Sequence, residues 1–303
     1  MIQKKSSSEF YHFPVMLDEV ISVCSPKKGG IFLDCTFGGG GYSKNLLKFS
    51  KTKVIALDRD QSVINISNNL KKKYPERFFF YHCKFSDLNK IIDKSVDAVI
   101  FDLGLSSIQL NNLKRGFSFK SKESLDMSMG LSNISAESVV NNFSEKNLKL
   151  IIKILGEEKD ASKIAKNIVK FRLTKKITKA VQLVEIIERS KKKNYTNKIS
   201  PSTKTFQALR IFVNKEISEL INGIVDAAKI LKPGGKILVV SFHSIEDKIV
   251  KFFFSRFSSN RSNPSRYFPE NKDKSFCLFK SYKNKIFKPK NYEIIKNPPS
   301  RSA

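Results

Sequence analysis

A chain of 303 residues, 40% apolar and 11% aromatic, can bury a full core, which excludes a disordered polymer and a disulfide-stapled miniprotein. Lys and Arg number 56 against 28 Asp and Glu, a formal charge of +28, so polyanions are the favoured partners. Cys24, Cys35, Cys83 and Cys277 are scattered, as are His12, His82 and His243, and no apolar run reaches the ~18 residues of a spanning helix, so no metal, no membrane and a reducing cytoplasm are expected.

Residues 1–9 are polar, lack a signal-peptide core and read as a loose tail. Apolar spacing predicts a short helix over 15–24. A strand follows at 31–33, then a glycine-rich turn, Asp34-Cys35-Thr36-Phe37-Gly38-Gly39-Gly40-Gly41, then a helix at 42–49. The strand at 54–57 ends on Asp58. A helix at 63–74 stops before Pro75, and a strand at 78–82, a short helix at 85–92 and a strand at 96–103 complete the first half. Strand and helix alternate with little between them, which predicts a parallel sheet covered on both faces. More than 130 residues then separate Leu103 from the next strand, 236–242, which follows Leu231-Lys232-Pro233-Gly234-Gly235. A crossover needs only about a dozen. The gap therefore predicts an inserted, strongly basic helical domain over 111–203, with helices at 151–155, 164–171 and 180–187 and an exposed loop at 191–194. The sheet domain is assigned 1–110 and 204–303, and one long helix is expected over 206–231. Residues 276–280 and 292–295 are expected to form a closing antiparallel pair.

Asp58 lies seventeen residues after Gly41, at the tip of the second strand, where a carboxylate can take both hydroxyls of a ribose while the glycines let backbone approach a nucleoside. The turn lacks GxGxxG spacing and carries an acid, Asp34, ahead of it. It resembles the D/E-x-x-x-G-x-G turn of S-adenosylmethionine-dependent methyltransferases more than that of nicotinamide dehydrogenases. Phe85 follows the third strand, beside the expected position of the cofactor base, and suits either adenine packing or ordinary core. The fourth strand ends Phe101-Asp102-Leu103-Gly104, without the Pro-Pro-aromatic motif of many amino-methyltransferases; Asp102 offers a comparable acceptor.

The chain closely resembles the MraW/RsmH family of bacterial small-subunit ribosomal RNA cytosine-N4 methyltransferases, from about His12 to Ala303. The resemblance is carried by His12-Phe-Pro-Val-Met-Leu-Asp-Glu19, Asp34-Cys-Thr-Phe-Gly38, Ala56-Leu-Asp-Arg-Asp60 and Asp102-Leu-Gly-Leu-Ser-Ser107. It continues through Arg115-Gly-Phe-Ser-Phe119, Leu125-Asp-Met127, Gly156-Glu-Glu158, Thr205-Phe-Gln-Ala-Leu-Arg-Ile211 and Ser241-Phe-His-Ser-Ile-Glu-Asp247. It implies a class I S-adenosylmethionine-dependent methyltransferase, a Rossmann-like doubly wound α/β sheet with an inserted helical domain that recognises RNA. The implied reaction is methylation of the N4 amine of a specific cytidine in 16S ribosomal RNA of the small subunit, with S-adenosyl-L-methionine as cofactor. The implied cofactor contacts are Gly40, Gly41, Tyr42, Asp58, Phe85, Asp102 and Gln109. The family often carries Arg and His where this chain has Gly39 and Tyr42; Tyr42 can still donate its backbone N–H and stack. The family's Asn-Pro-Arg-Ala-Arg-Ser appears here as Asn297-Pro-Pro-Ser-Arg-Ser302.

No catalytic base is evident, and Asp102 is the candidate acceptor for the target amine. Arg115, Lys204 and Arg210 are candidate phosphate contacts, against solvated surface as the default. His243 is a candidate substrate residue or a structural histidine at a strand end. Tyr282, Phe287 and Tyr292, among lysines, suit base stacking or core. A nicotinamide dehydrogenase and an assembly factor without turnover are the rival readings. The oligomeric state is open, a homodimer included.

Overall fold

The computed structural model describes residues 14–93, 95–191, 200–258, 278–282 and 286–303; His12, Cys277 and most of the expected loop at 191–194 lie outside them. The first half alternates as the apolar spacing predicts. In chain order it runs α1 (Leu17–Cys24), β1 (Gly30–Asp34), α2 (Gly41–Leu47), β2 (Thr52–Asp58), α3 (Ile64–Lys73), β3 (Phe78–His82), α4 (Leu88–Ile91) and β4 (Val96–Asp102). The fifth strand, β5 (Leu231–Val240), pairs with β4, and the sheet order is β3-β2-β1-β4-β5 with every pairing parallel. All five strands therefore end on one rim, and the strand order reverses between β1 and β4. That crevice is where ligands bind in open α/β sheets.

Alternation along each strand divides its side chains between two faces. Phe32, Val54, Ala56, Ala98 and Ile100 face one way and pack with Val20 of α1, Leu46 of α2 and Leu70 of α3. Leu33, Leu57, Val99 and Phe101 face the other way, onto Leu88 of α4 and Leu220, Ile224 and Ala227 further along the chain. Burial on both faces explains why residues 98–101 of β4 read as an unbroken apolar run. The Pro-Gly-Gly segment expected to precede β5 is instead a bulge inside it: Val96 pairs with Leu231 and Ala98 with Lys236, so residues 232–235 loop out.

After β4 come α5 (Ser107–Asn111), α6 (Ala136–Asn142), α7 (Glu145–Leu155), α8 (Ala161–Arg172), α9 (Ala180–Ser190) and α10 (Thr203–Asn214). Leu148, Ile151 and Ile152 of α7, Ile164, Ala165 and Ile168 of α8, and Leu183, Ile186 and Ile187 of α9 repeat the i, i+3, i+4 spacing and are buried together. Phe206, Leu209 and Val213 of α10 join the same core, which thus draws on residues beyond 203. Ser135 and Ser144 cap α6 and α7 through side-chain oxygens that accept N–H groups of the first turn.

The single helix expected over 206–231 is two. Lys215, with φ 53°, ends α10 in the left-handed region and starts α11 (Glu216–Ile230). Asn214 is fully buried beside this break. Its Nδ2 donates to the Met127 and Arg210 carbonyls, and its Oδ1 accepts from Met129 N and Ser132 Oγ. The break has no Gly or Pro signal because this tertiary network holds it. The closing antiparallel pair is also revised. Phe279 makes one parallel bridge to Ser258, residues 276–277 lie outside the described residues, and 292–295 belong to a helix. That helix follows α12 (Ser244–Arg256) as α13 (Asn291–Lys296). It docks on α1: Glu293 Oε1 accepts the Met16 N–H at 2.6 Å and Tyr292 donates to Asp18.

Candidate active site

The glycine turn needs its glycines for two distinct reasons. Gly38 and Gly40 have φ of 49° and 74°, where an L side chain is strained. A Cβ on Gly41 would fall 2.8 Å from Pro14, so the backbone there is close-packed. Asp34, fully buried beneath the turn, accepts from Ser43 Oγ at 2.6 Å and Thr36 N at 3.3 Å. Its burial pushes the carboxyl up to about 6, against the pull of those hydrogen bonds.

Beside the turn lies a cleft of about 160 Å³ at the rim between β1 and β4. Gly41, Tyr42, Asp58, Phe85, Asp102 and Gln109 line it, whereas Gly40 acts behind it as the residue that starts α2. Asp58 accepts Gly38 N at 2.7 Å and Asp60 N at 2.8 Å, and burial pushes it up to about 6. Phe85 sits edge-on to Phe101, ring centroids 5.4 Å apart, and against Gly223, so it is both core and cleft wall. Tyr42 corrects the stacking expectation. Its ring is in the core, and its hydroxyl donates to the Val15 carbonyl within reach of Asp102. Gln109 closes a capping box with Ser106 and donates from Nε2 to Asp60 at 2.7 Å.

Asp102 ends β4 with its N–H bonded to Thr36 Oγ1. Its Oδ1 is buried and has no hydrogen-bond partner among the described residues. Burial, then repulsion from Asp34 and Glu246, pushes the carboxyl up to about 8, which leaves it mostly protonated at neutral pH. The orphaned oxygen and the close-packed glycine turn fit a nucleoside cofactor that brings its own N–H and O–H donors.

The four expected substrate residues are not in this cleft wall. Arg115 bridges Asp60 and the Ser128 carbonyl, and Lys204 donates to the Glu157 carbonyl. Arg210 grips both oxygens of Glu216, at 2.9 and 3.0 Å. His243 caps α12 with Nδ1, which accepts from Glu246 N, and its Nε2 lies 3.1 Å from Glu246 Oε1. Tyr282 stacks on Phe287 and Tyr292 donates to Asp18, while both tyrosines keep an exposed face.

Sequence reasoning missed the acids on the far wall of the cleft, Glu216, Glu219 and Glu246. Ligand atoms of Glu216, His243 and Glu246 converge within 4.8 Å, a spacing that suits a cation. Arg210 already supplies the positive charge there. Although burial opposes its charge, Glu246 is held below the usual glutamate range by His243, Arg210 and the Phe242 N–H. Arg59 was also missed as a tie between the parts. It donates to the Gly130 and Asn214 carbonyls and to Ser132 Oγ, joining the end of β2 to the loop before α6 and to α10.

A parallel sheet that reverses direction at β1/β4, with a glycine turn, an acid ending β2 and an acceptor ending β4, defines the class: a Rossmann-like methyltransferase. Residues 9–303 match the model of the MraW methylase family, and the chain belongs to that family. It is 42% identical to the ribosomal RNA small subunit methyltransferase H of Ehrlichia canis, over 96% of this chain and 97% of that one. It is 43% identical to the protein of the same name from Rickettsia akari, over 96% of each chain. Among solved structures, an S-adenosylmethionine-dependent methyltransferase from Aquifex aeolicus aligns over 46% of this chain and 78% of its own, with 18% identity and a TM-score of 0.25.

Proposed function

We propose that this chain methylates the N4 exocyclic amine of a specific cytidine in 16S ribosomal RNA of the small subunit, in the cytoplasm, with S-adenosylmethionine as donor. The observation that carries the reading is Asp102. A buried carboxyl oxygen without a partner among the described residues, at the β4 tip beside the nucleoside turn, is an acceptor awaiting an N–H donor. When bound, the cofactor supplies an electrophilic methyl group on a sulfonium. Gly40, Gly41 and Tyr42 contribute the close-packed turn, Asp58 takes the ribose hydroxyls, Phe85 lies against the base, and Gln109 fixes Asp60 behind the site.

A cytosine amine is neutral, with its lone pair delocalised into the ring. Its N–H becomes acidic only as the methyl arrives, so the protein's main task is to hold the amine within ~3–3.5 Å of the methyl and accept its N–H. Asp102 serves as that acceptor. The base must leave its stack to reach the rim, which favours RNA in an open, single-stranded form. The helical unit over 111–203 and the basic C-terminal stretch hold the RNA backbone, in keeping with a net charge of +28. The reading is tested by tritiated methyl transfer to small subunits from a strain that lacks the modification. Label in ribosomal RNA with wild type and its loss with Asp102→Ala are expected; full turnover of that variant would remove Asp102 from the role.

A further inference from the structure

The cleft contains a second orphaned acceptor besides Asp102. Glu219, on the first turn of α11, is 7% exposed, and its Oε2 is buried with no hydrogen-bond partner among the described residues. Its other oxygen makes a distant ion pair, 3.8 Å from Lys84 Nζ. The side chain lines the cleft together with Phe85, Cys83 and Leu220. Gly223, one turn further along α11, packs directly on the Phe85 ring, so α11 and the segment after β3 are one wall. Arg59, next to Asp58, interacts electrostatically with Glu219, but its hydrogen bonds go to Gly130, Asn214 and Ser132.

We propose that Glu219 selects the cofactor's base by accepting an N–H from a 6-aminopurine seated against Phe85. The inference rests on the reading of the cleft as an S-adenosylmethionine site and assigns it a specificity residue. A buried carboxylate oxygen strongly favours a ligand that brings a donor. A purine amine next to the ring wall supplies one, with the sugar held at Asp58 and the methyl directed toward Asp102. A 6-oxopurine presents an acceptor at the same position and meets carboxylate repulsion. A purine with hydrogen at C6 leaves the oxygen unpaired. Sites built on a buried polar partner reject analogues that lack it far more strongly than apolar pockets reject a missing methylene.

The test is calorimetric binding to the full-length protein, with no turnover required. Wild type is titrated with S-adenosylhomocysteine, its 6-oxo analogue S-inosylhomocysteine and its 6-hydrogen purine analogue. Roughly 10–100-fold weaker binding of both analogues is expected, from the loss of one hydrogen bond to a charged acceptor. Glu219→Gln, whose amide can also donate, is expected to bring the 6-amino and 6-oxo affinities within ~3-fold of each other. Equal binding of the 6-amino and 6-hydrogen ligands by wild type would overturn the proposal even if the variant failed to fold. So would unchanged discrimination in a folded Glu219→Gln protein. Failure of wild type to bind S-adenosylhomocysteine at millimolar concentration would instead overturn the cofactor reading beneath it.

Discussion

Asp58 Oδ2 accepts the Gly38 N–H at 2.7 Å, so the acid that ends β2 also fixes the glycine turn that follows β1. The two halves of a nucleoside site are thereby built as one unit. Asp58→Ala removes the ribose acceptor and frees the turn, whereas Asp58→Asn keeps an oxygen for Gly38 but loses the charge and the acceptor for Asp60 N. Hydrogen bonds to charged groups are worth about 1.5–3 kcal/mol, or about 10–100-fold in affinity. Calorimetry with S-adenosylmethionine should show a loss in that range for the Ala variant and a smaller one for Asn. Undiminished binding by Asp58→Ala would exclude Asp58 from the site.

Asp102 makes the protein less stable at alkaline pH. An unfolded aspartate titrates near ~3.9, whereas in the fold burial, Asp34 and Glu246 push this one up to about 8. The folded state therefore binds this proton more tightly than the unfolded state. The stability it contributes is fully present below about pH 4 and is lost as pH rises through about 8. Asp34 and Asp58, each at about 6, add a decline in the lower part of that window. Asp102→Asn removes the upper part, so its melting temperature should exceed that of wild type at pH 8.5, by ~2–4 °C for each kcal/mol relieved. Parallel melting curves across the pH series would contradict the assignment.

The same carboxyl should release a proton when the cofactor binds. A cationic ligand favours ionised Asp102 and draws its titration downward. Around pH 7, up to about one proton per bound S-adenosylmethionine is expected to appear in solution. The calorimetric enthalpy should then differ between phosphate and Tris in proportion to their ionisation enthalpies, and the difference should shrink in Asp102→Asn. A buffer-independent enthalpy in wild type would show that Asp102 is ionised beforehand or lies away from the bound charge.

Asn214 joins the loop after residue 126 to the α10–α11 break through three hydrogen bonds, to Met127, Met129 and Ser132. Asn214→Ala leaves the Met127 carbonyl and the Met129 N–H without partners in a buried position. The expected cost is about 2–5 kcal/mol, since each orphaned group costs about 1–3. Chemical denaturation measures it directly, and a change below about 0.5 kcal/mol would show that the network does not hold the break.

The sheet and its turn were legible because their determinants are local. The strand at 31–33, the glycines and Asp58 lie within one contiguous stretch, and burial on both faces of β4 writes an apolar run into the chain. The helices α7, α8 and α9 were legible from their apolar spacing within the gap in the strand rhythm. The break at Lys215 was not, because Asn214 holds it through residues more than eighty positions away. α13 was misread because six residues, Asn291–Lys296, are too few to separate a period of two from one of 3.6, and its docking through Glu293 on Met16 is tertiary. Glu219 and Glu246 read as polar positions on amphipathic helices. Only the fold turns them into the cleft.

The central claim is transfer of a methyl group to one exocyclic cytidine nitrogen in small-subunit ribosomal RNA. Its most direct test is mass mapping of 16S ribosomal RNA after incubation of unmodified small subunits with this protein and S-adenosylmethionine. A single cytidine heavier by one methyl is predicted, with fragmentation placing the methyl on N4 and with less gained by Asp58→Ala at subsaturating cofactor. Methylation on ring carbon or ribose, or no mass gain with folded, cofactor-bound protein, would contradict it.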